Sequence, residues 1–120
     1  MFEIEEIQGN KVFFNPDSNL VYCKTLIVDC QDLIDADESS YDRYFIKALK
    51  SDISIEDSIN NQHNTNLNSN VESVDLVVKK TALEVEIGCI KMSTEQSQNL
   101  IKKLKTYAKQ ERRTSEPQIS

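Results

Sequence analysis

Two clusters of charged side chains are the features of this chain best suited to chemistry, and in both cases the chemistry is binding. Asp29, Asp32, Asp35, Asp37, Glu38 and Asp42 fall within one short stretch. Carboxylates at that density present a negative surface that steers a basic partner into contact. Glu3, Glu5 and Glu6 add to the negative charge. The second cluster is Lys102, Lys103, Lys105, Lys109, Arg112 and Arg113, set against one acid, Glu111. Along a helix, such a stripe can follow a phosphate backbone. It is also the charge that the C-terminal end of a helix dipole prefers. The net charge of −6 is divided as −8 over residues 1–60 and +2 over residues 61–120. That split permits head-to-tail attraction or two different partner surfaces.

Catalytic and metal-binding patterns are missing. His63 is the one histidine, and it lies in a run of asparagines where nothing would hold a general base in place. Gly9 and Gly88 are the only glycines, so no phosphate-cradling loop can be written. A calcium loop starting at Asp35 would need Gly and Glu where Ser40 and Ile46 stand. No two ligands have zinc spacing. The residues therefore argue against an enzyme and imply neither metal nor cofactor. Cys23, Cys30 and Cys89, odd in number and widely spaced, read as reduced thiols of a cytosolic protein. No apolar run reaches membrane-spanning length, and the start Met1-Phe2-Glu3 has neither a signal-peptide nor a myristoylation pattern. Tyr41, Tyr44 and Phe45, with Phe13 and Phe14, could line a ligand pocket, but core packing is the better account of them.

The elements that must position these residues follow from periodicity. Phe2 to Ile7 and Lys11 to Asn15 read as strands joined by a Gln8-Gly9-Asn10 turn. Asn15-Pro16-Asp17-Ser18-Asn19 is a second turn. Leu20 to Cys30 is apolar on both faces and reads as one central strand. The acids from Asp29 onward read as a link. Tyr41, Tyr44, Phe45, Ala48 and Leu49 then recur at helical spacing, which predicts a helix from Ser40 to Lys50. Ser54 to Ile59 allows one further helical turn. Residues 60–70 carry six asparagines in eleven positions. So little apolar surface predicts a mobile loop inside one domain.

Val74 to Val78 resumes strand character, with Val74, Leu76 and Val78 on one face. The apolar phase shifts to Leu83, Val85 and Ile87, which a hairpin or a bulge would produce. It shifts again at Gly88, toward Ile90 and Met92, as a glycine bulge would cause. Ser93-Thr94-Glu95-Gln96 has the form of a capping box. Leu100, Ile101, Leu104, Tyr107 and Ala108 form the apolar face of an amphipathic C-terminal helix.

The expectation is one α+β domain over residues 1–113, followed by a disordered tail at 114–120. Its mostly antiparallel sheet has about five strands, with two helices on one face. The expected function is that of a small acidic interaction protein, an adaptor, inhibitor or immunity-type protein. It would bind a protein partner through Asp29, Asp32, Asp35, Asp37, Glu38 and Asp42. The alternatives are nucleic-acid binding through Lys102, Lys103, Lys105, Lys109, Arg112 and Arg113, and small-molecule binding. Self-association through an edge strand or an apolar helix face is compatible with each.

Overall fold

A computed structural model describes residues 1–39, 42–60 and 71–115, without the side chains of residues 59, 60 and 109–115. The described residues form eight strands in one antiparallel sheet: β1 (Phe2–Ile7), β2 (Asn10–Asn15), β3 (Leu20–Cys23), β4 (Leu26–Asp29), β5 (Arg43–Ser51), β6 (Val71–Lys80), β7 (Glu84–Ile87) and β8 (Ile90–Ser93). Every strand pairs with its neighbours in sequence. The sheet curls until its two outermost strands, β1 and β8, meet. Three helices accompany the sheet among the described residues: α1 (Cys30–Glu38), α2 (Ile55–Asn60) and α3 (Thr94–Ser115).

Tight turns make this meander. Gln8 (φ 51°) and Gly9 (φ 79°) are both left-handed, as a two-residue hairpin turn matched to strand twist requires. The expected Asn15–Asn19 turn is present, with the Asp17 N–H donating to Asn15 Oδ1 at 3.0 Å and Asn19 at φ 59°. Gly88 (φ 61°) turns β7 into β8, so the phase change there is a hairpin and not the expected bulge. A hairpin also separates β6 from β7.

Three further expectations need correction; the first two, with the hairpin at Gly88, raise the strand count from five to eight. Leu20 to Cys30 is not one strand. The chain reverses at Lys24 and Thr25, and Cys23 pairs with Leu26. Lys24 takes φ 56° there, and no Gly, Asn or Pro announces the turn. Of the segment expected as a helix from Ser40 to Lys50, Arg43 onward belongs to β5, paired with β6 from Arg43↔Lys79 to Ser51↔Val71, and Ser40 and Tyr41 lie outside the described residues. Tyr44, Ile46 and Ala48 point inward with period two, a spacing that overlaps the helical one in a short window. The acidic link is itself a helix, α1, with Cys30, Leu33, Ile34 and Ala36 buried. The further turn expected at Ser54–Ile59 is α2. Leu83, expected inward, is 83% exposed at the β6–β7 turn. Of the expected tail, Thr114 and Ser115 belong to α3. Residues 61–70, with His63, and residues 116–120 lie outside the described residues.

The main core lies between the inner face of the sheet and the helices α1 and α3. Phe14, Ile7, Val78, Cys30 and Leu104 are among its most buried members. A second, smaller cluster sits on the outer face, where Ile55 of α2 covers Tyr22 and Ile27.

Candidate functional site

The acidic and basic segments, far apart in sequence, are neighbours in space because α1 packs against α3. Lys105 Nζ donates to Glu38 Oε2 at 2.9 Å. Part of the charge split between the two halves is therefore compensated inside the fold.

Each acid of the first cluster has its own setting. Asp29 is the N-cap of α1. Its Oδ1 accepts from the N–H groups of Gln31 (2.8 Å) and Asp32 (3.3 Å), which have no partner within the helix. Asp35 accepts from Gln31 Nε2 at 2.9 Å and is otherwise exposed. Asp32 is half-buried, one turn from Asp29 and Asp35. Burial raises its carboxyl pKa above the usual value, and repulsion from Asp29 and Asp35 raises it further. Asp37 borders a groove beside Ile101, Lys102 and Lys105. Asp42 is exposed beyond the end of the helix, and its carbonyl accepts the Lys80 N–H at 2.8 Å.

Acids near the C-terminus of α1 oppose its dipole, and α1 has no base in its last turn. Lys80, at the end of β6, supplies the missing cation. Its ammonium donates to the carbonyls of Ala36 (2.8 Å), Asp37 (3.4 Å) and Ser39. Sequence reasoning passed over Lys80 as part of an interruption between strands. Its role depends on a contact across more than forty residues, and no local pattern signals that.

The basic cluster is also partly taken up by the fold. Lys103 Nζ donates to the Ile4 carbonyl at 2.9 Å and lies 3.6 Å from Glu5 Oε2. The β1–β2 register shifts between Glu3 and Glu5, so Ile4 sits at a bulge, and Lys103 satisfies the carbonyl that the bulge turns away. Lys105 is held by Glu38. Lys102 is exposed between two surface grooves, one toward β1 and one toward α1. Lys109, Arg112 and Arg113 belong to the backbone of α3, but their side chains lie outside the described residues.

Among the described residues, no three His, Cys, Asp or Glu side chains gather to hold a metal ion. No buried side-chain nitrogen or oxygen there lacks a hydrogen-bond partner. The cavity between sheet and helices is apolar and measures about 40 Å³, with Cys23, Leu26, Leu33, Leu76 and Leu100 in its walls. A metabolite pocket occupies roughly 300 Å³ or more. Cys23 and Cys30 are buried and Cys89 is exposed. No helix among the described residues is long and apolar enough to cross a membrane. The chain matches no protein-family model, no curated protein and no solved structure.

Proposed function

We propose that this protein acts by binding a protein partner with a basic surface, through the outward carboxylates of α1. The observation that carries this reading is the state of Asp32 and Asp35. They stand one turn apart on the same helix, and neither forms an ion pair with a base among the described residues. Burial and mutual repulsion already oppose the charge on Asp32. A Lys or Arg from a partner would relieve both carboxylates at once. Asp29 and Glu38 serve the fold as cap and ion-pair member, so the binding set narrows to Asp32 and Asp35, with Asp37 and Asp42 at its margin.

The test is a pull-down from native lysate with and without nuclease, comparing the wild type with the double variant Asp32→Lys/Asp35→Lys. One stoichiometric protein should survive nuclease and be lost with the variant, whose thermal unfolding should match that of the wild type. Equal retention by both proteins would sink the assignment. A second reading, nucleic-acid binding through α3, draws on the exposure of Lys102. It also draws on the course of α3, whose backbone continues past Ala108 to Ser115. Retention that disappears with nuclease and with Lys102→Gln would favour that reading.

A further inference from the structure

The outer face of the sheet is covered unequally. Over β3 and β4, α2 seals Tyr22 and Ile27, with Phe13, Leu20, Leu49 and Val71 packed around them. Past Leu49 and Val71, toward Arg43 of β5 and Lys79 of β6, the same face is open. Phe45 sits there, 63% exposed, directly opposite Val77 of β6. An aromatic ring left in water forgoes the gain from burying its apolar surface.

Cations surround this apolar pair. Arg43 and Lys47 lie two residues either side of Phe45 on the same face of β5. Lys47 is paired with Asp75 at 3.1 Å. Arg43 stands directly opposite Lys79. Like charges directly opposite each other on a sheet are unfavourable. Glu86 faces Lys79 from β7, but it also faces Lys91 from β8, so one carboxylate is shared by two ammonium groups. The row therefore keeps an excess of positive charge at its Arg43 end, in a protein whose net charge is −6.

From this arrangement we infer a second docking surface, centred on Phe45, for an acidic protein segment. The segment would lay an apolar side chain on Phe45 and Val77 and place a carboxylate between Arg43 and Lys79. A buried aromatic anchor with a charged rim is the usual anatomy of an interface hot spot. Nucleic acid fits less well, because Asp75, Glu84 and Glu86 on the same face repel a phosphate backbone and, among the described residues, only one exposed ring there is available for stacking. This surface is independent of the α1 carboxylates, which lie with α1 on the other side of the sheet. Together the two surfaces would let the chain bridge two partners of opposite charge.

The test is selection of a phage-displayed library of random dodecapeptides on the immobilised full-length chain, with counter-selection on the Phe45→Ser variant. Enriched peptides should combine an apolar residue with Asp or Glu. Their affinity should fall about tenfold or more in both Phe45→Ser and Arg43→Glu, while the thermal unfolding midpoint stays at the wild-type value. Peptides that bind Phe45→Ser as tightly as wild type, or no enrichment after counter-selection, would overturn the proposal. So would a lowered unfolding midpoint in both variants, which would assign these residues to the fold. Phe45-dependent binding of fluorescent oligothymidylate, or a Phe45-dependent dimer in sedimentation equilibrium, would replace the acidic segment with nucleic acid or a second copy.

Discussion

Gly88 shows how much a single position can carry. Its φ of 61° is left-handed, and a Cβ added there would come within 3.2 Å of Leu76 Cδ2. Gly88→Ala should therefore cost about 1–2 kcal/mol, read as a lower denaturation midpoint. The cysteines give a second prediction at this scale. Burial pushes the Cys23 thiol up to about 11, against an ordinary value of 9.0, so it stays protonated and inert at neutral pH. Cys89 is exposed. In the native protein, iodoacetamide should label Cys89 first, and Cys23 only on unfolding, as peptide mass mapping would report. Asp32 gives a prediction about pH. Its folded-state carboxyl titrates above the unfolded value, so the native state holds the proton more tightly. The native state then binds more protons than the unfolded one between those two values, and stability falls as pH rises through that window. Asp32→Asn should raise stability at neutral pH by no more than about 0.5 kcal/mol, and have no such effect in acid below both values. A stability gain that persists in strong acid would contradict this origin.

At the scale of elements, α1 depends on groups outside itself. Nine residues are too few for an independent helix in water, and the acids at its C-terminus weaken it further. Asp29 caps one end from β4, and the Lys80 ammonium caps the other from β6. Lys80→Met keeps the stem and removes the donors. It should cost about 1–3 kcal/mol, with faster amide exchange at the end of α1 and unchanged protection in β2 and β3. Uniform loss of protection across the sheet would mean that Lys80 supports the whole fold instead. At the start of α3, the Ser93 hydroxyl accepts the Gln96 N–H at 3.1 Å, which is half of the expected capping box. The other half is replaced by a tertiary bond, since Gln96 Nε2 donates to the Glu6 carbonyl at 3.0 Å. Ser93→Ala should accordingly cost about 1 kcal/mol.

For the molecule as a whole, α3 is the element that completes the curled sheet. It touches both β1 and β8, and through Gln96 and Lys103 it binds two carbonyls of β1. Its buried stripe of Leu100, Ile101, Leu104 and Ala108 closes the main core. A strand edge left open invites pairing with other chains. A chain ending at Ser93 should therefore aggregate, and Leu104→Ala should destabilise the intact protein by about 2–5 kcal/mol. The Lys105–Glu38 pair, with both side chains partly in solvent, contributes much less. Molar salt should leave the unfolding midpoint nearly unchanged, and a large drop would show that charge contacts hold α3 in place.

Local patterns in the sequence sufficed for the β1–β2 hairpin, the Asn15–Asn19 turn, the start of α3 and its apolar stripe. Each is decided within a few residues, by left-handed turn positions, capping side chains or helical spacing. The α+β class and the antiparallel sheet follow from these. Tertiary structure decided the rest. Tyr44 to Leu49 fits both a helix and a strand, and pairing along the whole of β6 made it β5. The acids from Asp29 to Glu38 look like a solvated link, and only the remote Lys80 and the packing of Leu33 and Ile34 make them a helix. The candidate sites followed the same division. Both charged clusters were legible as composition, but which members were already engaged was not. Asp29 is committed to a local cap, Glu38 to Lys105 and Lys103 to a bulge, and the last two commitments join atoms brought together only by folding. Phe45 read as a core or pocket aromatic and is instead exposed, because a residue's exposure depends on what the rest of the chain covers.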